Sequence, residues 1–210
     1  MGTRPDITFT TQKLSEANSG PSDTHSSIAS TLLRYIQGTI SQGITVGGQY
    51  DDDFKLRAYA DASFADDLLS RFSTAGHIVY LGDGPVFWKS RKQTIVTVSS
   101  TEAEFINLTP AGLSVLWIKQ LLKDMGFRQT TASIIFTDSH NARYAALDRY
   151  NAGRTRHIDI RYKWIIDRIA RKDFDLIQVG TTEMAADGLT KPLQKVAHDR
   201  FVKQLNLEFA

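Results

Sequence analysis

Cysteine is absent from the 210 residues. That excludes a disulfide framework and any thiolate metal site. It fits a reducing, intracellular compartment, either cytoplasm or nucleus. Long apolar runs are also missing. Met1 to Leu14 has no apolar core of signal-peptide length, and no segment is long enough to span a bilayer, so no membrane is expected among the partners. The net charge is only +2, so no single sign dominates. Internal repeats and low-complexity tracts are lacking as well. What remains is a hydrophobic content of 41%, ordinary for a globular chain. The length accommodates one generous domain, or one domain with a small appendage.

The charge is unevenly spread. Arg143, Arg149, Arg154, Arg156, Arg161, Lys163, Arg168, Arg171 and Lys172 are opposed there only by Asp148, Asp159 and Asp167. Alone, such a run is a solvated helix face. Opposite a cluster of acids it points to a polyanionic substrate.

Residues 1–48 read as a helical appendage and residues 49–210 as the main domain. Asp6 to Glu16 suits a short helix. Gly20-Pro21-Ser22-Asp23 is a loop with a helix start, and Ile28, Leu32, Leu33 and Ile36 mark one face of a second helix ending near Gly38. Two such helices bury too little to fold alone. Tyr50-Asp51-Asp52-Asp53 fits a polymerase-site pattern, but no apolar hairpin surrounds it, and it reads as an acidic linker.

Strands are expected at Phe54–Ala60, Ala75–Leu81 and Pro85–Lys89, with Thr94–Val98 extending the sheet edge. A long helix follows, with Phe105, Leu108, Ala111, Val115, Ile118, Leu122 and Met125 inward and Gly126 as its stop. Pro110 predicts a kink or break near Asn107 to Gly112, since proline inside a helix costs about 3 kcal/mol. Ser133–Thr137 and Phe174–Val179 are further strands. Helices are expected at His140–Asp148, Ile158–Lys172 and Val196–Leu205. The order implies an α/β fold, a mixed sheet flanked by helices.

Four acids recur at element ends: Asp61 after the first strand, Glu104 at the head of the long helix, Asp138 after Ile134-Ile135-Phe136-Thr137, and Asp187 before a late helical stretch. Acids at such positions converge at one edge of an α/β sheet. Clustered carboxylates repel unless a cation neutralises them, and hard oxygen ligands suit Mg²⁺. The pattern points to a two-metal phosphodiester hydrolase. Each acid has a plainer role too. Thr101-Glu102-Ala103-Glu104 is a capping box with Thr101 as N-cap, and Glu102 is an alternative ligand. Asp61 suits a turn, Asp138 a helix cap, and Asp187 a first-turn position. Asp66 and Asp67 rival Asp61 but fall beyond the strand. His157, in a basic loop with Gly153, is placed to protonate a leaving oxygen or to aid product release. Phe87, Trp88, Lys89, Arg91 and Lys92 form an aromatic and basic edge suited to a duplex backbone, although Trp88 equally suits the core.

Several motifs together resemble one family. They are Tyr59-Ala60-Asp61-Ala62-Ser63-Phe64, Arg71-Phe72-Ser73-Thr74-Ala75-Gly76, Ser99-Ser100-Thr101-Glu102-Ala103-Glu104, Thr137-Asp138-Ser139-His140-Asn141-Ala142, Arg154-Thr155-Arg156-His157-Ile158-Asp159, and Ala186-Asp187-Gly188-Leu189-Thr190-Lys191-Pro192-Leu193. All resemble the ribonuclease H domain of copia-type LTR retrotransposon polyproteins. Thr3-Arg4-Pro5-Asp6-Ile7 and Leu33-Arg34-Tyr35-Ile36-Gln37-Gly38-Thr39 resemble the end of the preceding reverse transcriptase. The resemblance implies a ribonuclease H-like five-stranded mixed sheet and cleavage of RNA in RNA–DNA hybrids. It places the family's metal-binding acids on Asp61, Glu104, Asp138 and Asp187, with two Mg²⁺ ions or Mn²⁺ in their place, and its loop histidine on His157. Hybrid and the rest of the polyprotein are then the partners. Pro110 and Phe72 depart from the family's usual pattern. The alternative function is a silent remnant that binds nucleic acid without cutting it. A transposase or integrase of the same superfamily would carry its Glu last, whereas the order here is Asp, Glu, Asp, Asp.

Overall fold

The computed structural model describes residues 2–47, 55–147 and 159–209, with backbone only over 159–162. Its centre is a five-stranded sheet. The strands are β2 (Leu56–Ser63), β3 (Thr74–Leu81), β4 (Gly84–Lys92), β5 (Ser133–Thr137) and β6 (Phe174–Gln178). Their spatial order is β4-β3-β2-β5-β6. The meander of β2, β3 and β4 is antiparallel, while β5 and β6 run parallel to β2. This is the mixed five-stranded sheet flanked by helices that the sequence implies.

Alternation along β2 explains how its two faces differ. Leu56, Ala58 and Ala60 are buried against α3 (Ser100–Asp124), which supplies Phe105, Leu108, Ala111, Val115, Ile118 and Leu122 to the same cluster. The small Ala58 and Ala60 let the helix approach closely. Tyr59 packs into a second cluster instead, with Ile78, Tyr80, Met184, Leu189, Phe201, Leu205 and Leu207. That cluster joins β3 to α6 (Lys195–Gln204) and to the 3-10 turn Asp187–Leu189. Gly188 is needed there, because a Cβ on it would lie 2.3 Å from the Phe201 ring.

α3 is one helix of 25 residues, so the expected break around Pro110 does not occur. Proline forfeits one backbone bond, but its neighbours Leu108 and Ala111 are fully buried, and that packing offsets a cost of about 3 kcal/mol. Gly126, at φ 94°, ends the helix. The Phe127 amide donates to the Leu122 carbonyl at 2.8 Å and the Gly126 amide to Lys123 at 3.0 Å, the paired bonds of a Schellman stop. Met125, expected to face inward, lies beyond the last turn and is exposed. Thr94–Val98 does not extend the sheet. It forms no ladder, and Val96 and Val98 face solvent.

The N-terminal segment forms α1 (Thr8–Glu16) and α2 (Asp23–Gly38). α1 is clamped to the sheet by charge: Lys13 Nζ lies 2.8 Å from Asp66 Oδ2, and Lys92 contacts both Glu16 and Asp67. The apolar stripe read on α2 is only partly covered: Leu32 and Ile36 are half-buried, while Ile28 and Leu33 face solvent. Tyr35 anchors it, donating to Asp6 Oδ2 at 2.8 Å and meeting His198 edge-on. Next comes a strap not expected from the sequence: β1 (Gln42–Ile44) pairs antiparallel with β7 (Leu207–Phe209). The strap then crosses Gly84, where a Cβ would come 2.5 Å from the Thr45 carbonyl oxygen. α4 (His140–Leu147) and α5 (Asp159–Ala170) complete the helices. Among the described residues no helix is long and apolar enough to cross a membrane.

Candidate metal centre

Asp61 is carried by β2 and is only 3% exposed. Two neighbouring elements hold it. From α3, the Asn107 side-chain amide donates to the Asp61 carbonyl and to the Gly76 carbonyl, each at 2.7 Å. Gly76 is the register partner of Asp61 on β3. From the opposite side, the Thr190 hydroxyl donates to Asp61 Oδ2. Thr190 reaches it because the turn Asp187–Leu189 lies directly on Gly76. A Cβ there would stand 2.7 Å from both Leu189 Cβ and Thr190 Cγ2.

Glu104 enters from the first turns of α3. The capping box expected between Thr101 and Glu104 is not formed. Ser99 is the N-cap, accepting from the Glu102 amide at 3.2 Å. Glu102 turns back to accept from the Val98 amide at 2.6 Å. Capping therefore occupies Glu102 and leaves Glu104 for the interior. Its Oε2 is buried and accepts no hydrogen bond. Burial, then the nearby Asp61 and Asp138, push the Glu104 carboxyl up to about 10, against a bond from the Ala62 backbone.

Asp138 follows the end of β5 and is partly buried. Desolvation and then Asp61 raise its pKa, opposed by Lys191 and by a long 3.4 Å bond from the Thr181 hydroxyl. One carboxylate oxygen from each of Asp61, Glu104 and Asp138 lies within 4.8 Å of the others. An all-oxygen set of this spacing fits a hard divalent cation, and the buried Glu104 oxygen without a partner is what such an ion would satisfy.

Asp187 does not join that group of three. It sits in a 3-10 turn rather than at an α-helix start. Its carboxylate pairs with Lys191 at 2.8 Å. It still feels the others: burial raises its pKa, with Asp61 and Asp138 adding to the rise and Lys191 countering it. His157 and the Tyr50–Asp53 linker lie outside the described residues. So do Arg149, Arg154 and Arg156 of the basic stretch, and of Arg161 only the backbone is described.

The rivals to Asp61 are engaged elsewhere. Asp66 accepts from the Thr74 amide at 2.6 Å and pairs with Lys13. Lys92 beside Asp67 holds that carboxyl well below its ordinary range. On edge strand β4, Phe87 and Trp88 pack against the two clusters, while Lys89 and Arg91 face outward and are exposed. Sequence reasoning singled out neither Asn107, Thr190 nor Lys191. A polar residue inside the apolar stripe of α3 was a visible signal for the first. Thr190 and Lys191 stood beside Asp187 in the quoted motif, but nothing local gave them a role.

No protein-family model matches the chain. Over 205 residues, 98% of its length, it is 35% identical to a retrovirus-related Pol polyprotein from transposon RE1 of Arabidopsis thaliana. Over 189 residues, 90% of its length, it is 33% identical to the one from transposon TNT 1-94 of Nicotiana tabacum. The chain spans 14% of each of these relatives. Among solved structures, LC11-RNase H1 in complex with RNA/DNA hybrid is similar at a TM-score of 0.48 and 14% identity, covering 65% of this chain and 94% of that one.

Proposed function

Since the chain belongs to the family of copia-type retrotransposon Pol polyproteins, of whose length it spans 14%, we propose that it is an endoribonuclease that hydrolyses the RNA strand of RNA–DNA hybrids. One observation carries this reading. Three carboxylates from separate elements converge within 4.8 Å, and one of their oxygens is buried without a partner. Mg²⁺, or Mn²⁺ in its place, held by Asp61, Glu104, Asp138 and Asp187, would supply an activated water and counter-charge for the leaving oxygen.

The chain's own groups do the rest. Asp61 is the shared centre, and the Thr190 hydroxyl and Asn107 amide fix its orientation before any ion arrives. Burial and the neighbouring Asp61 and Asp138 favour the protonated form of Glu104, and a bound cation would favour the charged one. Exposed Lys89 and Arg91 on the β4 edge grip strand phosphates, so binding weakens with salt and reads little sequence. His157 would deliver the proton to the departing 3′-oxygen. The rest of the polyprotein would present the hybrid.

The test is cleavage of an end-labelled hybrid with and without chelator, beside Asp138→Asn. Metal-dependent cutting that the variant loses, with its fold kept, supports the proposal. Full activity in Asp138→Asn refutes the site. Binding without cutting under either metal favours the silent remnant.

A further inference from the structure

The fourth acid already has a cation. Lys191 Nζ lies 2.8 Å from Asp187 Oδ1, and the lysine side chain is 39% exposed against 14% for the aspartate. The ammonium therefore sits at the mouth of the site with the carboxylate behind it. The pairing is built into the backbone. The Lys191 amide donates to the Asp187 carbonyl at 3.2 Å, so the 3-10 turn returns the lysine over the acid. The other acids have different partners. Asp61 takes the Thr190 hydroxyl, Asp138 takes Thr181, and Glu104 Oε2 takes nothing. Lys191 also lies in the field of Asp61 and Asp138. An ammonium and a divalent ion compete for the same lone pairs and repel one another. The lysine stem is flexible enough to withdraw.

We propose that Lys191 is a resident counter-cation that keeps Asp187 out of the ion site of the free protein. One divalent ion loads on Asp61, Glu104 and Asp138, and a second place opens only when the ammonium leaves. This rests on the metal-site reading above. Lys191 acts through Asp187 and is a positioning residue.

Calorimetric titration with Mn²⁺, without nucleic acid, tests it on the full chain, Lys191→Met and Lys191→Arg. The original chain and Lys191→Arg should each take about one ion. Lys191→Met should take a second, at least about ten-fold more tightly than the original chain does. Equal stoichiometry and affinity in the original chain and Lys191→Met overturn the inference while leaving the site intact, as does uptake of two equivalent ions by the original chain. If no chain takes up an ion, the metal-site reading itself fails, and the inference with it.

Discussion

Two neighbouring parts of α3 are built on opposite terms. From Phe105 to Leu122 the helix presents apolar side chains to β2, β3 and β5, in a cluster with no charged member. One residue earlier, Glu104 presents a carboxylate to two other acids in a space nearly as dry. The first part stabilises the fold. The second is a local liability that the first must outweigh, and a bound cation would relieve it.

Variants can set the two parts against each other. Leu108→Ala, in the apolar part, should cost about 2–5 kcal/mol through the cavity it leaves, read as a lower urea midpoint at unchanged slope. A loss within a few tenths would mean that the helix is not docked as described.

The next effect tests the dry interior through pH. His77 is buried, donating to or accepting from Ser114 at 2.9 Å, and burial followed by Lys89 depresses its pKa to about 4. The unfolded chain then binds the extra proton between roughly pH 6.5 and 4. Stability should be fully present above that window and fall by up to about 3 kcal/mol as pH drops through it. His77→Gln should flatten that slope, and a slope unchanged by the variant would assign the effect elsewhere.

Glu104→Gln probes the acidic part with the opposite sign. A carboxyl raised in the fold costs stability once pH exceeds its unfolded value near 4.5. The variant should therefore melt higher than the original metal-free chain at pH 7–8, by about 1–3 kcal/mol, while losing metal-dependent cleavage. A lower melting point would place Glu104 among the stabilising groups.

The smallest expected effect lies on the boundary. Thr190→Val removes the hydroxyl that orients Asp61 and keeps the packing on Gly76. It should lower cleavage about 10–100-fold, and Thr190→Ser should restore most of it. Equal activity in both variants would mean that the bond does not position the acid.

Much of this was legible beforehand. The strands and helices followed largely from periodicity, and Asp61, Glu104 and Asp138 were singled out as acids at element ends; the structure brings the three together, although it runs β2 two residues past Asp61. The misses share a cause: they depend on neighbours distant in sequence. Pro110 looked like a break because the compensating burial comes from the sheet. Thr101 looked like the N-cap because nothing local distinguishes it from Ser99, and only the chain path chooses. Valines 96 and 98 alternate like a strand but have no partner at the edge. Thr190 and Lys191 gain meaning only once their turn lies against Gly76.

The pairing of β1 with β7 has a practical consequence. Trimming the protein at residue 49, where the sequence suggests a boundary, would strip Leu207–Phe209 of its ladder and expose Leu207 and the apolar floor beneath it. Such a fragment would offer other molecules a bare strand flanked by greasy side chains, an invitation to self-association. Shortened versions made for crystallisation or assay should begin upstream of Gln42.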